Sequence, residues 1–165
     1  MFLGPLEQSK PWDTQGIEGV HRFLKKFWRL FYDEAGNFAV TDAAPTESQW
    51  RTLHRTIRKV GDDTERFSFN TVVSQLMICV NELASAGCRH RDILEQVLIL
   101  LAPFAPHISE ELYHQLGHET LVLDAVYPTW EEKYLREARV VYPVAINGKT
   151  RTEMTFGADT ARKTA

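Results

Sequence analysis

Between residues 16 and 34, apolar side chains fall at Ile17, Val20, Leu24, Phe27, Trp28 and Phe31, the i, i+3, i+4, i+7 recurrence of a helix with one buried face. The pattern predicts a long, aromatic-rich core helix. A loop with Gly36, Asn37 and Pro45 follows, and Thr46 then stands three residues before Gln49. That is capping-box spacing, in which each side chain satisfies a free backbone N–H at the helix start. A second helix begins there, with Trp50, Leu53, Ile57 and Val60 as its stripe, and Gly61-Asp62-Asp63 weakens or ends it. Ser68 or Asn70 can cap a third helix carrying Val72, Val73, Leu76, Met77, Val80 and Leu83. Gly87 suits the left-handed position just past its end.

A fourth apolar helix, from about 91 to 101, runs into Pro103-Phe104-Ala105-Pro106-His107. Proline cannot continue the hydrogen-bond ladder but can open the next helix. A short fifth helix through Glu110, Leu112 and Leu116 to Gly117 is expected. Beyond Gly117 the texture changes. An irregular stretch with Pro128 and Trp130 leads to Val140-Val141-Tyr142-Pro143-Val144-Ala145-Ile146, then Asn147-Gly148, then Lys149 to Phe156. Asn-Gly between two β-prone runs is a strong hairpin signal, because a type I′ turn needs positive φ at both central positions. Pro143 should lie on an edge, where its missing N–H is harmless. The expected fold is mainly α: a bundle of about five helices over 1–117, a linker over 118–138, and a hairpin over 139–165 that opens a second, cut-off domain.

Composition narrows the function classes. The 165 residues carry 22 acidic and 19 basic side chains, a net charge of −3 and a pI near 6.1, so the chain is no polycation. A nucleic-acid partner would require the cations to gather on one face. The apolar run from Val97 to Ala105 is broken by Pro103 and falls short of the roughly 18 residues a membrane span needs. Met1-Phe2-Leu3-Gly4-Pro5 lacks a basic n-region and an apolar h-region, so the chain is expected to begin within a longer polypeptide. The two cysteines, Cys79 and Cys88, form neither a disulfide framework nor a paired metal-ligand spacing, and a reducing, cytoplasmic setting is expected.

The cations are indeed patterned. Arg22, Lys25, Lys26 and Arg29 recur at i, i+3, i+4 and i+7 on the face opposite the apolar stripe, with Glu18 as their local opponent. The second helix repeats the arrangement with Arg51, Arg55, Arg58 and Lys59, so two adjacent helices could present one basic surface. Such a surface suits a phosphate backbone, where each neutralised phosphate releases a counterion. A solvated outer face is the competing reading, since charged outer faces are the norm.

Other candidates carry less. His107, Glu111, His114 and His118 share helical spacing, but no second histidine–carboxylate pair on another helix completes a metal site. No metal ligands are therefore assigned. Cys79 reads as a small buried hydrophobe, and Cys88 has no oriented base beyond His90. The aromatic set Trp12, Phe23, Phe27, Trp28, Phe31 and Tyr32 could stack bases, although its spacing argues for core, with Trp12 and Phe23 as exceptions. No Gly-rich phosphate loop, G-x-S-x-G or catalytic carboxylate pair occurs, so no catalytic residue is assigned and a binding and positioning module is expected.

Several blocks resemble bacterial leucyl-tRNA synthetases, in the same order. They are Gly4-Pro5-Leu6-Glu7-Gln8-Ser9-Lys10-Pro11-Trp12-Asp13 with Gly16 to Trp28, then Phe69-Asn70-Thr71, then Leu101 to Leu112 around Ala105-Pro106-His107, then Trp130, and finally Val144-Ala145-Ile146-Asn147-Gly148-Lys149-Thr150-Arg151. Isoleucyl-, valyl- and methionyl-tRNA synthetases carry similar bundles, while the Asn-Gly-Lys hairpin and Pro-Trp-Asp opening favour leucine. The resemblance implies a class Ia α-helical anticodon-binding domain followed by the start of a small α/β C-terminal domain.

It further implies a parent enzyme that attaches leucine to tRNA(Leu) using ATP with magnesium, as a monomer. The present chain has no His-Ile-Gly-His-type motif, no Lys-Met-Ser-Lys-Ser-type loop and no editing domain, so it is expected to be non-catalytic and to need no cofactor of its own. Its expected partners are tRNA(Leu) and the parent's catalytic and editing domains, not a membrane. Carried over position by position, Arg22 and Lys26 match the family's first-helix motif, with Lys25 and Arg29 beside them. Lys149 and Arg151 match a basic strand whose domain approaches the tRNA elbow. The alternative from another class is a helical protein-interaction module that docks through Trp12 and Trp130. A metal-dependent bundle using His107, Glu111 and His114 would require bound metal.

Overall fold

A computed structural model describes residues 4–9, 11, 16–136, 139–146 and 149–157, the last two ranges as backbone only. The chain divides into two compact units, residues 1–130 and 131–165. The first is helical: α1 Gly16–Phe31, α2 Glu47–Glu65, α3 Phe69–Ser85, α4 Arg91–Leu101 and α5 Pro106–Gln115, followed by a 3-10 turn at Val122–Asp124. The α-helical character and the five successive helices of this unit follow the periodicity.

The boundaries differ where local chemistry overrides the pattern. α1 ends at Phe31, short of 34, because Asp33 starts a turn in which its carboxylate accepts the Asn37 backbone N–H at 2.8 Å. α2 opens with the expected capping box: the Gln49 N–H donates to Thr46 Oγ1, and the Thr46 N–H donates to Gln49 Oε1. It then continues through Gly61-Asp62-Asp63 to Glu65, because Lys59 pairs with Asp63 one turn on and holds the helix together there. Ser68 is the N-cap residue of α3, but its side chain makes no capping bond. Gly87, at φ +59°, stands where the sequence places it. The Gly87 and Cys88 N–H groups donate to the carbonyls of Ala84 and Leu83, which closes α3 with a Schellman motif. Gly117, at φ +94°, ends α5 in the same way.

The core lies where α3 and α4 pack between their neighbours. Phe27, Leu53, Ile57, Val72, Leu76, Cys79, Val80, Ile93, Leu94, Leu98 and Leu112 are almost wholly buried. α1 is fully buried in this core at Phe27, Leu30 and Phe31, with Phe23 and Trp28 partly buried against it, whereas Ile17 is 62% exposed despite its place in the apolar stripe. The reason is geometric. Val20, Phe23 and Leu24 border an open apolar groove of about 290 Å³, with Val73, Leu76 and Met77 of α3 and Leu101, Phe104 and Ala105 opposite.

α3 packs against both α1 and α2, and so stands between the two helices that carry the basic rows. That corrects the expectation of two adjacent basic helices: the rows are separated by a third helix, whose sequence registers as core. Residues after Gly117 contribute to the first unit as well. Val122 is buried, and its N–H donates to Glu110 Oε2 at 3.1 Å.

In the second unit, α6 Glu132–Leu135 precedes β1 Arg139–Ile146 and β2 Lys149–Gly157, whose backbones pair antiparallel with an irregularity between Val144 and Ala145. The Asn147-Gly148 turn of the expected hairpin lies outside the described residues. No described helix is long and apolar enough to cross a membrane.

Candidate nucleic-acid interface

The two basic rows differ in electrostatic state. On α2 every cation of the row has a carboxylate. Arg51 meets Glu47 at 2.7 Å, Arg58 meets Asp62 at 3.9 Å, and Lys59 meets Asp63 at 2.8 Å, all within the helix. Arg55 reaches across to Glu82 of α3, with its Nη2 at 2.5 and 2.7 Å from the two carboxylate oxygens. Arg58 also lies over the Trp130 ring, 5.2 Å from its centroid. In each such pair the carboxylate cancels most of the cation's field, and an exposed pair adds little stability.

On α1 the side chains of Arg22, Lys25, Lys26 and Arg29 are exposed, and none forms an ion pair among the described residues. Lys26 is held by a neutral group: its Nζ donates to Asn81 Oδ1 of α3 at 2.6 Å. Arg29 lines a shallow polar depression of about 480 Å³ with Tyr32, Asp33, Glu34 and Arg89. Arg89 Nη1 donates to the Tyr32 carbonyl at 2.9 Å and so covers the negative end of α1. The Asn37 backbone N–H holds the Asp33 carboxyl below the usual carboxylate range. α1 thus presents a row of uncancelled positive charge about 1.5 Å per residue in rise, the kind of surface that a phosphate backbone matches.

Lys149 and Arg151 lie on β2, where side chains are outside the described residues, and Trp12 falls outside them too. The parts that Asn81, Glu82, Arg89 and the Arg58–Trp130 stack play around the basic rows are not legible in the sequence. The first two sit at the polar end of a core stripe, and no local spacing links them to cations that lie 55 and 27 positions away.

The remaining candidates are engaged otherwise. His114 Nε2 is 3.3 Å from Glu110, and His118 Nε2 is 3.1 Å from Glu95. The His118 ring stacks on Tyr113 at 3.9 Å between centroids. Among the described residues no three His, Cys, Asp or Glu side chains converge to hold a metal ion. Burial pushes the Cys79 thiol up to about 12 and raises that of Cys88. Phe27 and Phe31 are core and Trp28 stacks on Tyr32 at 4.7 Å, while Phe23 lines the apolar groove.

Sequence comparison assigns this helical bundle to a known family. Residues 49–165 match the family described as the anticodon-binding domain of tRNA ligase, and the chain belongs to that family. The particular proteins it resembles are leucine–tRNA ligases. That of Cytophaga hutchinsonii is 59% identical over 159 residues, which is 96% of this chain and 17% of the relative. That of Parabacteroides distasonis is 56% identical over 165 residues, 100% of this chain and 17% of the relative. Among solved structures, the ternary complex of Agrobacterium radiobacter K84 agnB2 LeuRS with tRNA and LeuAMS matches with a TM-score of 0.74 and 29% identity, over 99% of this chain and 23% of that one. The chain therefore spans about a sixth of the length of the curated relatives it matches.

Proposed function

We propose that this chain is the tRNA-binding and positioning part of a leucine–tRNA ligase, a cytoplasmic enzyme that uses ATP with magnesium to attach leucine to tRNA(Leu). Residues 1–117 are its anticodon-binding bundle, 118–138 a linker, and 139–165 a hairpin opening the C-terminal α/β domain. ATP and magnesium belong to the parent's catalytic domain, and no residue of this chain is assigned to them. The chain's own task is to hold tRNA, as a monomer, so that its 3′ end reaches the catalytic and editing domains. Holding reactants in place is itself a catalytic contribution.

The observation that carries the reading is the row Arg22, Lys25, Lys26 and Arg29, exposed and without an ion pair among the described residues, in a chain whose net charge is −3. Leucine specificity of the parent is supported by the two relatives, at 59% and 56% identity. The proposed contacts are phosphates at Arg22 and Lys26, flanked by Lys25 and Arg29. Lys149 and Arg151 are proposed on the hairpin, and Arg51, Arg55 and Arg58 are secondary because carboxylates cancel them.

The test is binding of leucine tRNA and of a non-cognate tRNA over a salt series. Arg22→Ala and Lys26→Ala are each expected to weaken binding and to flatten the log–log salt slope by about one unit. A second reading, a protein-docking module, is favoured by the exposed Leu121, Leu123, Val126, Tyr127 and Trp130. It requires association that is insensitive to salt and driven by buried apolar area, whereas salt-dependent tRNA binding that ignores both substitutions would move the tRNA contact elsewhere on the chain.

A further inference from the structure

We infer that Asn81 and Glu82 are positioning residues that decide which cations of the bundle meet a nucleic-acid phosphate, an inference that rests on the tRNA-binding reading above. The two are consecutive on α3, and successive helical side chains diverge by about 100°. Asn81 therefore reaches α1 while Glu82 reaches α2.

Their chemistry differs in the one respect that matters. The Asn81 amide oxygen is a neutral acceptor: at 2.6 Å it fixes the Lys26 ammonium, leaves its charge intact and occupies one of its three N–H donors. Glu82 is anionic. Its two oxygens take Arg55 Nη2 at 2.7 and 2.5 Å, and the Thr52 hydroxyl donates to it at 2.8 Å, which keeps the carboxylate turned toward α2. A phosphate arriving over α3 meets a full positive charge on the α1 side and a cancelled pair on the α2 side. Counterion release scales with phosphates neutralised, so Lys26 contributes to binding while Arg55, paired with Glu82, adds little.

Glu82 also stands apart from the other acids that cancel the α2 row. Glu47, Asp62 and Asp63 lie on α2 itself and follow from i, i+4 spacing, whereas Glu82 comes from another helix. Its position is set by the packing of α3 on α2, so the charge state of Arg55 depends on the assembled bundle.

The test exchanges the two chemistries, with leucine tRNA binding to the chain measured over a salt series. E82Q should tighten binding several-fold at low salt and steepen the salt slope by about one unit, as Arg55 becomes available. N81D should do the opposite. In N81D/E82Q, whose net charge equals that of the unsubstituted chain, added Arg55→Ala should weaken binding and added Lys26→Ala should have no effect. A purely structural role for either residue would not transfer the sensitivity from one cation to the other. An unchanged slope in E82Q, or continued sensitivity to Lys26→Ala in the double variant, overturns the inference while leaving the tRNA reading in place if Arg22→Ala still weakens binding. No salt-dependent binding by the unsubstituted chain overturns both.

Discussion

The Thr71 hydroxyl donates to Oδ2 of Asp63 and ties the first turn of α3 to the last turn of α2. Lys59 Nζ occupies Oδ1 of the same carboxylate at 2.8 Å, and Asp63 is only 3% exposed. Burial pushes the Asp63 carboxyl up, but the bonds from Lys59 and Thr71, with the nearby charges of Lys59 and Arg66, outweigh it and leave the group below its ordinary value.

That lowering fixes the sign of a pH effect. The folded state releases the Asp63 proton more readily than the unfolded state, so the stabilisation is complete above the unfolded value of about 4 and is lost as pH falls through the lower folded value. D63N is expected to cost about 1.5–3 kcal/mol near neutral pH, the range for a hydrogen bond to a charged group. Urea unfolding at neutral and at acid pH checks it: the unsubstituted chain should lose more stability on acidification than D63N. Equal losses would mean that the charge is not what holds the turn.

Phe67 ends α2 in the left-handed region, at φ 56°, in the position that Gly87 and Gly117 occupy after α3 and α5. The residue is 70% exposed, and its ring meets that of Phe69 edge-on with centroids 6.0 Å apart. F67G is expected to stabilise the fold by about 0.5–1 kcal/mol, the left-handed penalty of about 1–2 less the entropy cost of glycine. G87A, where a Cβ would meet nothing within 4 Å, should destabilise for conformational reasons alone. Thermal melts of both variants decide the matter. A lower melting temperature for F67G would show that the aromatic contact outweighs the backbone strain.

The thiols give a third test. Cys79 is fully buried with its pKa pushed up to about 12, and Cys88 is 1% exposed with its pKa raised by burial. The thiolate is the reactive species, so both should resist alkylation in the folded protein near pH 8 and react rapidly once urea unfolds it. Prompt labelling of either without unfolding would place that cysteine in a segment that opens locally.

Much of this architecture is legible from spacing because its causes are local. The Thr46–Gln49 capping box, the glycine after α3 and proline at the first turn of α5 each depend on neighbours within a few residues. The end of α2 misleads, since Gly61-Asp62-Asp63 carries a breaker's composition while the Lys59–Asp63 pair keeps it helical. The basic rows are visible, but their difference in charge state is not. Spacing along α2 suggests pairing for Arg51, Arg58 and Lys59, yet the partner of Arg55 lies 27 residues on and that of Lys26 lies 55 residues on. Those contacts exist only because α3 inserts between the two helices, a tertiary fact that no single helix encodes.

The half-docked state of α1 has a mechanical consequence. Phe27, Leu30 and Phe31 clamp one end of the rod in the core, while Val20, Phe23 and Leu24 overhang the groove and Ile17 faces solvent. Opening free energy falls where buried apolar contact is scarce, so amide exchange should quicken from the Phe31 end toward the Ile17 end. Arg29 therefore rides on the firmly seated end of the rod and Arg22 lies nearer its looser end, so the same row should offer a curved polyanion one fixed point of purchase and one with more freedom to follow its bend.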